Sequence, residues 1–484
     1  MKHRKLLACL LAGSIAFTGF AHAASPQQVT YDITESYAAG TVVVYLDKAY
    51  KAKWWANPGQ SPAEVDTAAN AWDSPWEHTD DMSEPPVEPP VPPVEPELPG
   101  DNVLPPVHIP LSQLLDEETA LTSDPLMAEV KRSIATRDNA LVAKIEPGAA
   151  DNPENVKRVE SIITAEKWEY IFPQRAPEYT YTGFLKAIGK FSAFCAEYKD
   201  GRDSDAICRK SLATMFAHFT QETGGHNGEQ AGVPDWRQGL VWVREMGWTE
   251  TMRNGYNGEC LPSTWQGQAW PCGTFIEDGA FKSYFGRGAK QLSYNYNYGP
   301  FSDAIYGDVR PLLDRPDLVA DTWLNLASAV FFYVYPQPPK PSMLHVIDGT
   351  WQPNDRDLAN GLKHGFGVTT QIINGGVECG GSGENAQSVN RIAYYRQFAR
   401  ELGVPIEESE VLGCAGMKQF DEQGAGALPI YWEMDWSWSA GTVGGLSYQC
   451  QLVGYQTAHN AFRQGDYAQC VQAKFPNVII DKDK

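Results

Sequence analysis

One carboxylate in this sequence lies where a catalytic acid could work. Glu222 belongs to the segment 215–225, which reads Met-Phe-Ala-His-Phe-Thr-Gln-Glu-Thr-Gly-Gly. The apolar residues predict a helix, and the Gly-Gly pair predicts that this helix ends just after Glu222, at the edge of a cleft. Partial burial beside Phe216 and Phe219 is expected to raise the pKa of Glu222. A raised pKa keeps a carboxyl protonated, as a general acid requires.

Acid–base cleavage of a glycosidic bond needs a second carboxylate to complement this acid. The loop-rich segment after the helix offers seven candidates: Glu229, Asp235, Glu245, Glu250, Glu259, Glu277 and Asp278. Sequence spacing does not choose among them, because most acidic side chains in a loop are simply solvated.

A metal site is the competing chemistry, since His218, Glu222 and His226 recur every four residues and could share one helical face. The two glycines should end the helix before His226, however. The pattern also differs from the His-Glu-x-x-His of zinc hydrolases. We therefore expect no metal ion and no cofactor.

Helical periodicity dominates the chain beyond about residue 107, whereas strand signals are sparse. The segments between the helices are long and rich in Gly and Trp, and loops of this kind on a helical scaffold usually carry function. We expect a mainly α domain with long loops, whose helices lie at Leu126 to Ala143, Asn155 to Lys167, Tyr181 to Glu197, Ser204 to Gly224, Leu318 to Tyr335 and Asn385 to Leu402.

Length and charge limit the classes of partner. The chain has 484 residues, a length that predicts more than one domain. Its net charge is -21. Nucleic acids and anionic membranes are poor partners for such a chain, because phosphate binding needs clustered Lys and Arg. A neutral polysaccharide is compatible, and the 15 Trp and 22 Tyr provide aromatic surface that suits sugar rings.

The first 23 residues have the pattern of a secretory signal peptide. Basic residues precede an apolar run from Leu6 to Phe20, and small residues follow at Ala21 and Ala23. The run is too short to span a bilayer, so we expect a secreted protein, cleaved near Ala23, with no membrane anchor.

The cysteines fit an exported protein. Nine are present; Cys9 lies in the signal segment, and the remaining eight form an even set. Their spacing predicts four local disulfides, each closing a loop that stabilises the fold by roughly 3 kcal/mol. The pairs are Cys195 with Cys208, Cys260 with Cys272, Cys379 with Cys414, and Cys450 with Cys470.

A Pro- and Glu-rich spacer divides the mature chain. Residues 24–80 are short segments rich in Val, Tyr and Trp, which predict a small β module with a strand at 41–45. Residues 81–106 favour an extended polyproline II linker. We expect the catalytic domain at 107–421, followed by an extension at 422–484 that holds its own Cys pair.

Four blocks of the predicted catalytic domain resemble the signatures of glycoside hydrolase family 19 chitinases. They are Phe219 to Gly225, Tyr284 to Gly299, Pro336 to Ser342 and Gly365 to Gly380, with Arg391 to Tyr395 beyond. The resemblance implies a lysozyme-like, bilobal α fold with the substrate cleft between its lobes. It also implies an inverting endochitinase that cleaves β-1,4 bonds between N-acetylglucosamine units.

The same resemblance assigns roles to individual residues. Glu222 matches the family's general acid, Glu245 its catalytic base, and Ser293 the serine that holds the attacking water. Trp270 matches a loop tryptophan that stacks on sugar, and Glu378 and Arg391 match a supporting ion network of the substrate site. Positions that line the sugar subsites are matched by Gln291, Tyr296, Asn297, Lys340 and Asn374. Two departures are Gln221, where many members have His, and Ala289-Lys290, which replaces the commoner Pro-Ile.

The N-terminal aromatic segment resembles the chitin-binding modules of carbohydrate-binding families 5 and 12. The matching residues include Tyr37, Tyr50-Lys51-Ala52-Lys53-Trp54-Trp55 and Trp76. By that resemblance Trp54 and Trp55 contact sugar, while Tyr50 and Trp76 belong either to the core or to the binding surface. Through its linker the module would concentrate the enzyme on an insoluble polymer.

Two other functions remain open at this point. A peptidoglycan-cleaving muramidase would share the lysozyme-like fold, and a catalytically silent protein would only bind chitin. The chitin-binding pattern disfavours the first, and the presence of both carboxylates disfavours the second. We expect a monomer whose partners are chitin and chitooligosaccharides.

Overall fold

A computed structural model gives the fold of the chain. It describes residues 30–32, 37, 41–46, 48–53, 56, 60–66, 74–79, 106–226, 228, 232–428, 447–452 and 454–482. The expected signal segment 1–23, nearly all of the linker, and both Trp54 and Trp55 lie outside these residues. Two compact units are distinguished, Met1–Asn102 and Val103–Lys484.

The first unit contains a small antiparallel sheet, which confirms the prediction of a β module. Strands β1 (Val42–Tyr45), β2 (Lys48–Ala52) and β3 (Trp76–His78) lie in the order β1-β2-β3, and a short 3-10 helix spans Pro62–Asp66. Tyr50 and Trp76 are 2% and 0% exposed, so they form its core with Val43 and Tyr37. Neither ring is available to stack on a ligand.

The second unit is predominantly helical and carries one two-stranded parallel sheet, β4 (Val107–Pro110) and β5 (Val478–Asp481). Its helices are α1 Leu111–Leu121, α2 Pro125–Ser133, α3 Asn139–Ala143, α4 Glu154–Ile162, α5 Ala165–Ile171, α6 Tyr181–Lys190, α7 Ser204–Thr223, α8 Trp265–Ala269, α9 Asn295–Tyr306, α10 Arg310–Asp314, α11 Leu318–Asp321, α12 Leu324–Val334, α13 Met343–Ile347, α14 Asp355–Ala359, α15 Phe366–Glu378, α16 Ala386–Leu402 and α17 Asp466–Lys474. Short 3-10 helices span Asp235–Arg237 and Gly258–Cys260.

Three predicted helices are broken in the structure. The segment 126–143 divides into α2 and α3, the segment 155–167 into α4 and α5, and the segment 318–335 into α11 and α12. Side-chain caps explain two breaks: Asp138 accepts the amide hydrogen of Ala140, and Thr164 accepts that of Lys167, so each starts a new helix. Tyr181 to Glu197 is also shorter than predicted, because α6 ends at Lys190.

Helix α7 is the central element of the second unit. Asp203 caps its first turn by accepting the amide hydrogens of Asp205 and Ala206, and the helix is buried along most of its length. It ends at Thr223, because the chain turns away at Gly224. A Cβ at Gly224 would lie 2.4 Å from the Thr220 carbonyl oxygen, so the close turn requires glycine.

The C-terminal extension packs against the start of the same unit. β5 pairs with β4, and a small core joins Leu114 and Met127 to Tyr467 and Val471. All four predicted disulfides are present. Within the described residues, no helix is long and apolar enough to cross a lipid bilayer.

Candidate active site

The end of α7 holds Glu222 and anchors the loop that carries Glu245. Thr223 accepts three backbone amide hydrogens from this loop, that of Leu240 on its hydroxyl (2.8 Å) and those of Val241 and Trp242 on its carbonyl (3.0 and 3.1 Å). The Glu245 amide donates in turn to the Gly286 carbonyl oxygen at 2.8 Å. The loop is therefore tied to the helix at one end and to the 284–292 turn at the other.

A buried arginine holds Glu222. The Arg391 Nη2 donates to Glu222 Oε1 at 2.6 Å and to Glu378 Oε1 at 2.8 Å, and its Nε donates to Glu378 Oε2 at 2.9 Å. The side chains of Arg391 and Glu378 are each 1% exposed, against 16% for Glu222. By resemblance Arg391 and Glu378 match a supporting ion network, and in the structure both are buried and paired with each other.

The charge state of Glu222 differs from the prediction. Burial opposes ionisation of this carboxyl, but the cations Lys290 and Arg391 outweigh it and lower its pKa. Lys290 lines the same small cavity as Glu222, and its ammonium lies 4.6 Å from the centroid of the Phe332 ring. The expectation of a raised pKa was wrong, because the flanking phenylalanines were visible in the sequence while the convergence of two cations was not.

The metal hypothesis for His218 conflicts with its hydrogen bonds. His218 Nδ1 lies 3.0 Å from Arg391 Nη1, which can only donate, so Nδ1 accepts. Its Nε2 then carries the proton and donates to Thr369 Oγ1 at 3.0 Å. Burial followed by the charge of Arg391 lowers the pKa of His218 well below its usual value. A neutral ring with both nitrogens engaged beside a guanidinium has no lone pair for a cation.

Glu245 has a different environment from Glu222. Tyr256 Oη donates to its Oε1 at 2.8 Å, and the Gly286 amide donates to its Oε2 at 3.0 Å. Within the described part of the chain it has no ion-pair partner. A Cβ on Gly286 would lie 3.3 Å from Glu245 Oε2 and 2.8 Å from Gln291 Oε1, so glycine leaves room for both side chains.

The neighbouring candidate Glu250 forms ion pairs with two arginines. Its carboxylate pairs with Arg244 at 2.8 Å and with the buried Arg287 at 2.6 Å. Asp278 pairs with Arg253 at 2.8 Å, and Glu277 is 74% exposed. Of these four carboxylates, Glu245 is the one that two neutral donors hold and that pairs with no cation, which suits a general base.

Ser293 and Gln291 lie on the turn that precedes α9. Ser293 Oγ donates to the Gln291 carbonyl oxygen at 2.9 Å, which leaves its lone pairs able to accept from a water molecule. Gln291 Nε2 donates to the Gly288 carbonyl oxygen at 3.0 Å. Both side chains are therefore held by backbone carbonyl oxygens of the same turn.

Three further predicted sugar-binding residues lie on neighbouring elements. Asn297 is in the first turn of α9, and its Nδ2 donates to the Ser293 carbonyl oxygen at 3.0 Å. Lys340 lies in the loop before α13 and donates to the Ile372 carbonyl oxygen at 3.4 Å. Asn374 interrupts the helical backbone of α15 and donates to Glu378 Oε1 at 2.9 Å, which links it to the Arg391 network.

The tryptophan predicted to stack on sugar is buried. Trp270 is 2% exposed, its Nε1 donates to the Gln456 carbonyl oxygen at 2.7 Å, and its ring lies against Gly299. This prediction was wrong, because the ring is buried against Gly299 and its nitrogen bonds to a residue that is distant in sequence. Trp265, five residues earlier, is 52% exposed, and its ring centroid lies 6.0 Å from that of Tyr296.

Trp265 and Tyr296 belong to a continuous aromatic row. Tyr296 stacks on Tyr294 with ring centroids 5.3 Å apart, and Tyr294 contacts Tyr256 at 5.2 Å. Tyr256 is the residue that donates to Glu245. The row thus connects an exposed indole to the candidate base. Trp265 was not among the predicted residues. The one sequence feature that could have pointed to it is its position at the start of α8, the short helix that precedes Trp270.

Comparison with known proteins gives the family of the chain. The family model described as "Chitinase class I", of glycoside hydrolase family 19, matches residues 169–414. "Endochitinase 2" of Solanum tuberosum is 39% identical over 246 residues, which cover 50% of this chain and 68% of the relative. "Endochitinase B" of Nicotiana tabacum is also 39% identical over 246 residues, covering 50% of this chain and 66% of the relative.

Two solved structures are also similar. Chitinase C from Streptomyces griseus HUT6037 has 20% identity and a TM-score of 0.35, covering 80% of this chain and 100% of that one. A bacterial family 19 chitinase has 25% identity and a TM-score of 0.36, covering 52% of this chain and 100% of that one. From the family match and the relatives, the chain belongs to the class I chitinases of glycoside hydrolase family 19.

The charge of Lys290 gives a prediction for the pKa of Glu222. Replacing Lys290 with methionine removes a cation that lowers this pKa while keeping a side chain of similar length, so the pKa should rise. A carboxyl 13C NMR titration of labelled protein measures the change directly. Lys418→Met, a matched loss of charge at an exposed lysine, should leave the Glu222 titration in place. An unaltered Glu222 pKa in Lys290→Met would contradict the electrostatic role given to Lys290.

Proposed function

We propose that the chain hydrolyses the β-1,4 bonds of chitin with inversion of configuration, and that Glu222 and Glu245 are its general acid and base. The observation that carries the assignment is the contrast between the two carboxylates. Glu222 is held by a cation, whereas Glu245 is held by two neutral donors. Environments that differ in this way let two carboxyls perform different roles.

In the proposed mechanism Glu222 protonates the leaving oxygen while Glu245 removes a proton from water. Ser293 Oγ accepts a hydrogen bond from the same water and helps to aim it at the opposite face of the sugar ring. The displacement occurs in one step, which requires the carboxyls to be about 6.5 to 9.5 Å apart. These steps use only side chains of this chain.

Glu222 must first acquire the proton that it donates. Arg391 contacts only Oε1, so protonation of the other oxygen turns the ion pair into a neutral-acceptor contact but leaves the hydrogen bond to Oε1 in place. A bound sugar that displaces water from the carboxyl raises the cost of its charge and favours protonation. Two cations hold the pKa of Glu222 low in the free protein, so acidic conditions increase the fraction of Glu222 that is protonated.

Sugar binding is proposed to use the polar residues around these carboxylates. Gln291, Asn297, Lys340 and Asn374 supply hydrogen-bonding groups near the reacting centre. Tyr296 and the exposed Trp265 provide aromatic faces, which suit the apolar faces of pyranose rings. Trp265 takes the role that the sequence had suggested for Trp270.

The segments before the catalytic unit are proposed to deliver it to its substrate. Residues 1–23 would direct secretion, residues 24–80 would bind chitin through Trp54 and Trp55, and residues 81–106 would serve as the spacer. The small antiparallel sheet with its aromatic core supports a folded module at this place. Tethering raises the local concentration of insoluble substrate at the active site.

Substitution of each carboxylate tests the assignment of acid and base. Glu222→Gln and Glu245→Gln should each lower kcat on chitin hexamer by about 10²- to 10⁴-fold, because each removes one proton-transfer group. Reducing-end release gives the rates, and calorimetry with the same oligomer should show that binding persists. Glu277→Gln changes an exposed carboxylate of the same region and should keep kcat within about twofold of wild type. Near-normal turnover in Glu222→Gln would assign the acid to another residue.

The proposed binding module is tested by deleting residues 24–80. The shortened protein should hydrolyse soluble chitin hexamer at the wild-type rate, whereas its fraction bound to insoluble chitin should fall roughly tenfold or more. The double variant Trp54→Ala, Trp55→Ala should reproduce the deletion if these rings contact the polymer. If binding to insoluble chitin is unchanged in both variants, residues 24–80 do not bind chitin.

A further inference from the structure

The C-terminal extension contacts the candidate active site although it lies beyond the family match at 169–414. Tyr455 is 2% exposed, and its ring centroid lies 5.3 Å from that of Phe331 and 6.0 Å from that of Tyr335. Gly454 lies so close to Pro338 that a Cβ would be 2.8 Å from the proline Cδ. The extension is therefore packed against α12 and against the loop that carries Lys340.

Two side chains of the extension converge on Asn297. Tyr455 Oη donates to Asn297 Oδ1 at 3.1 Å, and Gln456 Nε2 donates to the same atom at 2.8 Å. The Gln456 backbone carbonyl also accepts the Trp270 Nε1 hydrogen at 2.7 Å. One short segment thus holds both a predicted sugar-binding amide and the tryptophan buried behind it.

These contacts fix the orientation of the Asn297 amide. The Ser293 carbonyl oxygen accepts only, so the amide atom that faces it at 3.0 Å must be the nitrogen. Oδ1 then faces the extension, and its two lone pairs are both used by Tyr455 and Gln456. One N–H of Asn297 remains for another partner, which leaves the side chain as a donor and no longer an acceptor.

We infer that Tyr455 and Gln456 are substrate-positioning residues, which orient Asn297 so that its free N–H donates to an acceptor oxygen of the bound sugar. The inference rests on the proposed function, since it assigns Asn297 to sugar binding. It makes the extension a part of the substrate site. The catalytic region at 169–414 would then depend on residues outside it for this one contact.

Removing the donors without removing the packing tests the inference in the full-length protein. Gln456→Leu deletes the side-chain amide but keeps the backbone carbonyl that Trp270 needs, and Tyr455→Phe deletes only a hydroxyl. Each should raise KM for chitin hexamer by about threefold to tenfold, the usual effect of one hydrogen bond, with kcat within about twofold of wild type. Gln472→Ala, an exposed position on α17 in the same extension, should change neither constant.

A double-mutant cycle separates positioning from a general effect on stability. In an Asn297→Ala background, Gln456→Leu should add no further increase in KM, because its route to the substrate is gone. An unchanged KM in both single variants, or a full additional effect in the Asn297→Ala background, would overturn the inference. Inactivity of the wild type on chitin hexamer would instead refute the proposed function, and the inference with it.

Discussion

The buried guanidinium of Arg391 is the interaction on which the site depends. A charge removed from water costs several kcal/mol unless it is paired and hydrogen-bonded, and Arg391 achieves both through Glu222, Glu378 and His218. These partners come from α7 and α15, while Arg391 itself lies on α16. Correct packing of three helices is therefore coupled to the position of one carboxylate oxygen of Glu222, the proposed acid.

The proposed roles of Glu222 and Glu245 follow from the elements around them. The last turn of α7 places Glu222 next to Arg391 and Lys290, whereas a loop fixed by Thr223 and Gly286 places Glu245 among neutral donors. Charge thus differs between the two sides of the site before any substrate arrives. A preorganised difference of this kind is what a one-step displacement with separate acid and base requires.

Local signals in the sequence predicted much of this arrangement. Gly224 and Gly225 correctly indicated the end of α7, and cysteine spacing gave all four disulfides, because each depends on neighbours in the chain. Contacts between distant residues were not accessible in the same way. The buried indole nitrogen of Trp270, for example, donates to the carbonyl oxygen of Gln456, which lies 186 positions later.

The choice of Glu245 likewise depends on contacts between residues that are distant in sequence. Spacing left seven acidic residues open, and only the family resemblance singled out this one. The structure adds a physical reason to prefer Glu245 over Glu250. Glu250 is paired with Arg244 and Arg287, whereas Glu245 has no cationic partner among the residues described. Ion pairs between distant residues decide which carboxylates lack a cationic partner, and local sequence patterns do not predict such pairs.

The stereochemistry of hydrolysis tests the central claim most directly. Proton NMR spectra recorded during the first minutes of chitin hexamer hydrolysis distinguish the anomers of the new reducing ends before mutarotation mixes them. A single displacement by water, with Glu222 as acid and Glu245 as base, predicts that the α anomer appears first. Initial release of the β anomer would contradict the account, because it would require a covalent intermediate or a different pair of catalytic groups.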